Sequence, residues 1–197
     1  MMEKILVVLV SYLLGSIPTG YLIGRLKGID IRQHGSGNPG TANVYRTLGK
    51  WPGIITFAID FLKGFFPAFM AVKLFPENYP LVIVTAAACI AGHIWTIFLN
   101  FRGGKGVATS AGVFMAFLPA PTALAFLVFG VAVALTKHIS VGSMAAAIFL
   151  PVFCLLFSSP VPFAVLAFLV CALIIYTHIP NIKRIYAGRE LTFHHKK

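Results

Sequence analysis

Apolar residues in this chain run in unbroken stretches of about 20 rather than alternating with polar ones, and short polar segments punctuate them. About 20 helical residues cross the hydrocarbon core of a bilayer. Lipid offers no partner to backbone N–H and C=O groups, so spanning segments are helices or closed barrels. Continuous runs without period-two alternation select helices. The pattern predicts an all-α polytopic membrane protein with seven segments at roughly 4–24, 53–74, 80–99, 107–118, 121–136, 139–157 and 161–177. The fourth is short and ends at Leu118-Pro119-Ala120-Pro121, a breaker cluster that turns the chain. No linker, low-complexity tract or repeat interrupts the pattern, so residues 1–197 read as one domain.

Composition agrees. Of the 197 residues 58% are hydrophobic and 11% charged, with mean hydropathy +0.89; a soluble domain is about 45–50% apolar and about a quarter charged. The first run has a nearly neutral start, Glu3 against Lys4, and no small-residue cleavage site, so it reads as a retained helix rather than a secretory signal. Cys89, Cys154 and Cys171 lie in apolar segments without metal-like spacing and read as packing residues.

The formal charge of +11 raises nucleic acid and anionic membrane surfaces as partners. The basic residues flank the apolar segments and no nucleic-acid-binding signature is present, which leaves topology and small anions. Thirteen of the 16 basic residues fall on one side of a seven-helix arrangement, while the loops 75–79 and 158–162 hold none. Short cytoplasmic loops collect Lys and Arg, which puts the N-terminus outside and the C-terminus in the cytoplasm.

Three polar stretches share that cytoplasmic face. In Gly35-Ser-Gly-Asn-Pro-Gly-Thr-Ala-Asn-Val-Tyr-Arg46, the glycines permit positive φ and a concave nest of N–H groups for a phosphate. Gly37 and Gly40 belong to that nest, Ser36, Asn38, Thr41 and Asn43 add neutral donors, and Arg46 grips an oxyanion bidentately. The plainer reading is a turn between helices. The second stretch, Phe101-Arg-Gly-Gly-Lys-Gly-Val-Ala-Thr109, opens the short fourth helix; Gly103, Gly104 and Lys105 there suit an anion at a helix N-terminus. It is not a phosphate-binding loop of the NTPase type, because Leu99 and Gly106 stand where Gly and Ser or Thr are required. The third, Thr177-His-Ile-Pro-Asn-Ile-Lys-Arg184, puts His178 and Asn181 three apart at the end of the seventh segment.

Asp60 and Lys63, three apart inside the second segment, predict an ion pair buttressing the site, since ionisable groups at membrane depth pair and face inward. His93 is either packing or site support. His34 and His138 read as ordinary cytoplasmic-face residues, and His194-His195-Lys196-Lys197 as a solvated tail near anionic headgroups rather than a metal site.

With these motifs in hand, the chain resembles the integral-membrane bacterial acyl-phosphate:glycerol-3-phosphate acyltransferases. The resemblance is carried by Leu14-Gly-Ser-Ile-Pro-Thr-Gly-Tyr21, Gly35 to Arg46, Asp60-Phe-Leu-Lys-Gly64, Gly92-His93, Phe101 to Thr109, His178-x-x-Asn181 and Gly188-Arg-Glu190. Two positions depart from the family pattern: Thr41-Ala42 inverts the usual Ala-Thr order, and Thr177 replaces a basic residue. The resemblance implies seven helices and transfer of an acyl group from acyl phosphate to the 1-hydroxyl of glycerol 3-phosphate, with lysophosphatidic acid and phosphate as products. It implies catalytic roles for Lys105, Arg46 and His178, structural support from Asp60, Lys63, His93 and Glu190, and no cofactor or metal. The enzyme that makes acyl phosphate from acyl-carrier protein becomes a candidate partner, beside the bilayer, and nucleic acid does not.

Acyl phosphate is already an activated anhydride, so a covalent enzyme intermediate is unnecessary. The H-x-x-x-x-D motif of other glycerolipid acyltransferases is absent, because Arg25 and Ile55 stand five before Asp30 and Asp60, the chain's two aspartates. The proton falls to a substrate phosphate, the favoured acceptor, or to His178. The rival reading is an anion transporter, which would place polar groups and helix breaks near the midplane; here they gather at one face.

Overall fold

The computed structural model describes residues 1–193; the tail 194–197 lies outside the described residues. Ten α-helices and two short 3₁₀ turns, with no strand, make up the described chain. They are α1 Met2–Ser16, α2 Thr19–Leu26, α3 Thr41–Leu48, α4 Lys50–Leu74, α5 Tyr79–Ile94, α6 Val107–Phe117, α7 Pro119–Thr136, α8 Ile139–Leu156, α9 Val161–Thr177 and α10 Ile179–Tyr186. Each of the seven predicted segments contains an α-helix, but the third ends at Ile94 rather than at 99, where a short 3₁₀ turn, Ile97–Leu99, follows. Five stretches are long and apolar enough to cross a membrane: Met2–Leu26, Lys50–Leu74, Tyr79–Leu99, Pro119–Thr136 and Ile139–Leu156. A sixth arises if α9 and α10, bent by 53°, count as one span. Helix α6 has 11 residues, about half of what the hydrocarbon core requires.

Two further predicted elements differ from the structure. The first segment is broken rather than continuous: α1 ends at Ser16 and α2 begins at Thr19, because Pro18 lacks the N–H that would carry the ladder onward. The second half of the first polar stretch is the two-turn helix α3, capped by Gly40 and anchored through Val44, which is fully buried. The Leu118–Pro121 breaker acts as read. Leu118 ends α6 and Pro119 opens α7, where a missing N–H costs nothing. Asn78 caps α5 by accepting the Leu81 N–H at 3.2 Å.

The chain divides into two compact units, Met1–Phe117 and a second beginning at Leu118. In the first, α1 packs on α5 and α4 on α6. Both pairs use reciprocal glycines. A β-carbon at Gly15 would overlap the Cys89 carbonyl and one at Gly92 the Tyr12 carbonyl; Gly64 meets Thr109 and Gly112 meets Phe61 in the same way. Lipid tails are as apolar as leucine, so close backbone approach through small residues, rather than a hydrophobic drive, holds such pairs. Side-chain hydroxyls reinforce the first pair: Ser11 donates to the Thr85 carbonyl at 2.8 Å, Tyr12 to Trp95 at 2.7 Å, and Thr96 to Ser16. Pro67 in α4 cannot donate to the Lys63 carbonyl one turn back, and the buried Cys89 thiol of α5 donates to that carbonyl at 3.1 Å. In the second unit α8 packs between α7 and α9, and α10 follows α9.

Candidate active site

In the first unit a polar centre forms around the break between α1 and α2. Lys63 on α4 donates to Asp60 at 2.7 Å and to the Ile17 carbonyl, beside the broken turn, at 2.7 Å. Thr19, the first residue of α2, donates to the same Asp60 oxygen at 2.8 Å. The Asp60 side chain is 2% exposed and that of Lys63 6%, so the predicted ion pair exists and is desolvated. His93 stands beside it, Nδ1 3.8 Å from Asp60, too far for a hydrogen bond. Sequence reasoning misses Thr19; its signal is the Pro-Thr dipeptide inside an apolar run.

The first polar stretch starts from a braced corner. Asp30 takes the Arg32 guanidinium at 2.6 Å, and that bond draws the carboxyl down to about 2; Arg32 also lies over the Tyr21 ring at 4.7 Å. Gly35 and Gly37 then turn the chain at φ +59° and +72°, as their type allows. Gly40 does not: it is extended, at φ −78°. Asn43, 2% exposed, binds the loop from within, accepting the Ser36 N–H at 2.8 Å and donating to the Ile31 and His34 carbonyls. The Gly37 N–H goes to His34 and the Gly40 N–H to the Asn38 side chain. The N–H groups of Ser36, Gly37 and Gly40 therefore serve the loop itself, and the expected nest is not built from them. Thr41 Oγ1 is buried and without a partner. Arg46 stands half-buried on α3.

The second stretch folds back onto the end of α5. Gly103 donates its N–H to Ile94 at 2.9 Å and Gly104 to His93 at 3.0 Å, satisfying carbonyls that the last helical turn leaves open. A β-carbon at Gly103 would overlap the His93 carbonyl, and one at Gly104 the His93 ring. Packing against the end of α5 calls for glycine at both positions, independently of the ligand role that the sequence suggests. Lys105, half-exposed, follows them, and Gly106 at φ +84° leads into α6. Within the first turns of α6 the Thr109 and Ser110 hydroxyls are buried with no partner. The two stretches meet where Asn38 donates to the Gly103 carbonyl at 3.3 Å. Arg46 and Lys105 thus stand on helices and loops joined into one framework.

In the second unit Pro180 opens α10 instead of continuing α9, and His178 and Asn181 flank that corner, each 2% exposed. His178 Nδ1 lies 2.8 Å from the Ile174 carbonyl. A carbonyl only accepts, so Nδ1 carries the proton and any basic function of the neutral ring rests on Nε2. Asn181 donates to Glu190 at 2.7 Å, Ser140 of α8 to the same oxygen at 2.8 Å, and Arg184 to the other at 2.8 Å. The Glu190 carboxylate is 1% exposed; burial pushes its pKa up, but the three hydrogen bonds outweigh that and hold it below the ordinary value. His138 Nδ1, 3.3 Å from the Leu191 carbonyl, braces the same return segment. His138 is thus part of the buttress, beyond the ordinary role expected of it.

A family model described as glycerol-3-phosphate acyltransferase matches residues 5–188. The chain belongs to the glycerol-3-phosphate acyltransferase family. Among curated members, the glycerol-3-phosphate acyltransferase of Endomicrobium trichonymphae is 42% identical over 96% of each chain. That of Aquifex aeolicus (strain VF5) is 42% identical over 98% of this chain and 100% of that protein. Two crystal structures of PlsY (YgiH), an integral membrane glycerol 3-phosphate acyltransferase, share the fold. The glycerol 3-phosphate form superposes with a TM-score of 0.94 at 42% identity over 98% of this chain and 96% of that one. The lysophosphatidic acid form gives 0.90 at 41% over 96% and 95%. All the polar residues described above, from Thr19 to Lys105 and from His138 to Arg184, lie inside the span matched by the acyltransferase family model; Glu190 follows two residues beyond it.

Proposed function

We propose that this chain acylates the 1-hydroxyl of glycerol 3-phosphate with acyl phosphate as donor, releasing lysophosphatidic acid and inorganic phosphate. One observation carries the reading. Two cationic side chains, Arg46 and Lys105, stand on polar segments tied together by the Asn38–Gly103 hydrogen bond, in a chain whose family acts on glycerol 3-phosphate. Both proposed substrates bear phosphate, and a forked guanidinium with a mobile ammonium suits two such groups.

The oxygen of the 1-hydroxyl attacks the acyl carbonyl carbon, and the bond from that carbon to the phosphate oxygen breaks. Lys105 and Arg46 offset the charge that develops on the carbonyl oxygen and the departing phosphate. The hydroxyl proton passes to the leaving phosphate, which is dianionic and adjacent. In the second unit His178 is held by the Ile174 carbonyl and Asn181 by Glu190, and the family resemblance gives both a substrate-binding role. The site faces the cytoplasm of a bacterial inner membrane, with residues 1–197 acting as one acyltransferase domain; the one-sided basic residues and a family match running from 5 to 188 support both statements. A water-exposed acyl phosphate hydrolyses, which favours direct delivery from the enzyme that makes it from acyl-carrier protein.

The test is a purified protein in lipid vesicles given labelled glycerol 3-phosphate. Lysophosphatidic acid should form with acyl phosphate and not with acyl-CoA. Robust turnover of acyl-CoA in the absence of acyl phosphate overturns the donor assignment.

A further inference from the structure

We propose that His93 is a positioning residue: its imidazole is a spacer between Asp60 and Gly104 whose width sets where Lys105 stands. The proposal rests on the reading above, in which Lys105 meets substrate.

His93 lies in the last turn of α5 and is 8% exposed. One edge of its ring, Nδ1, faces Asp60 across 3.8 Å and has no hydrogen-bond partner. The opposite edge, Nε2, lies against Gly104 so closely that a β-carbon there would overlap it. The backbone bonds from Gly103 and Gly104 to Ile94 and His93 fix the height of this segment along α5. They do not fix its sideways distance from α4; the ring does. Lys105 is the next residue.

Neither neighbour of the ring is free to yield. Asp60 is held by Thr19 at 2.8 Å and Lys63 at 2.7 Å, and Lys63 by the Ile17 carbonyl. On the other side Gly103 accepts from Asn38. Pro39, which follows, abuts Gly20 so tightly that a β-carbon at position 20 would overlap its carbonyl; Gly20 is the neighbour of Thr19. The contacts close a circuit, His93 to Gly104, Gly103 to Asn38, Pro39 to Gly20, Thr19 to Asp60, and back to His93. Both polar stretches belong to it. Close-packed interiors transmit a change in one member to the others, so a change in the width of residue 93 moves the Lys105 segment.

Six variants test this in lipid vesicles with acyl phosphate and glycerol 3-phosphate: Gly104→Ala, Gly103→Ala, His93→Ala, His93→Gln, and each glycine change combined with His93→Ala. A misplacement of about 1 Å costs about 10²-fold in rate, so Gly104→Ala should lower kcat/KM by about that factor. Combined with His93→Ala, which removes the ring it strikes, it should regain at least about tenfold, a non-additivity diagnostic of contact. Gly103→Ala should not be rescued, because its β-carbon meets the backbone carbonyls of His93 and Ile94, which remain. His93→Gln, with similar reach, should retain more turnover than His93→Ala. A tolerated Gly104→Ala overturns the spacer. So does a double variant whose Tm recovers while kcat/KM does not, since that marks packing without positioning. Wild-type turnover separates the two readings: its absence overturns the reaction proposed above, whereas an active wild type without rescue overturns the spacer alone.

Discussion

Glu190 accepts the Asn181 amide at 2.7 Å on the oxygen that also takes Ser140, and gives its other oxygen to Arg184. A carboxylate 50 residues downstream of Ser140 thus fixes the corner at which α9 becomes α10. Glu190→Gln replaces a charge-assisted set with weaker bonds and should cost about 2 kcal/mol, read as a lower Tm. The pH dependence follows from the lowered pKa. Between the folded value and the ordinary 4.5 the unfolded chain binds more protons than the folded one. The Glu190 contribution is therefore complete above 4.5 and is lost as pH falls through the folded value. Tm of the wild type should drop on that acid limb more steeply than Tm of Glu190→Gln; parallel curves count against it.

Lys105→Ala should remove most turnover, by about 10²–10³-fold, if the ammonium meets charge that develops in the transition state. Arg46→Lys should also be damaging, because a point charge cannot reproduce a bidentate grip. Full activity in Arg46→Lys would remove Arg46 from the proposed substrate contacts.

His178→Gln distinguishes the two proton acceptors. If the departing phosphate takes the proton, measurable activity remains and the pH–rate profile keeps its shape. A loss of about 10²–10⁴-fold, with disappearance of a limb near the imidazole pKa, makes His178 the general base.

Much of this was legible in the chain. Six apolar segments were bounded to within three residues at most helix ends, because the length of an apolar run and breakers such as Pro119 act locally on the backbone. The pairing of Asp60 with Lys63 was legible too, since a charge at membrane depth needs a partner and the helix brings i+3 alongside. The break at Ile17–Pro18 was missed because the run around it stays apolar on both sides. Helix α3 was hidden by its polarity: of Thr41–Leu48 only Val44 supplies a fully buried apolar anchor. The packing of Gly103 and Gly104 on α5 was out of reach, because a glycine needed beside an imidazole and one needed beside a phosphate look alike until the imidazole is placed. Glu190 was named as support by resemblance alone; its three partners are joined by folding, not by spacing.

Orientation is open to direct labelling. With Cys89, Cys154 and Cys171 replaced, a cysteine at Lys50 or Lys183 should react with impermeant reagent from the cytoplasmic side, and one at Asn78 from outside. Labelling of position 50 from outside reverses the arrangement.

A reciprocal glycine is as sensitive as a catalytic residue. Gly112→Ala drives a β-carbon into the Phe61 carbonyl of α4, and such overpacking costs about 1–3 kcal/mol. Tm should fall accordingly, whereas Gly130→Ala in α7, where a β-carbon meets nothing within 4 Å, should not lower it.

The hydroxyl bonds from α1 to α5 carry a consequence for how the protein is made. Ser11 waits for Thr85, Ser16 for Thr96, and Tyr12 for Trp95, separations of 74, 80 and 83 residues. At about 5–20 residues per second, translation takes on the order of ten seconds to supply those partners. During that interval the leading helix sits in the insertion machinery or the bilayer without the partners of its Ser11 and Tyr12 hydroxyls and its Ser16 carbonyl. Biogenesis therefore has to shelter the first span until the third arrives.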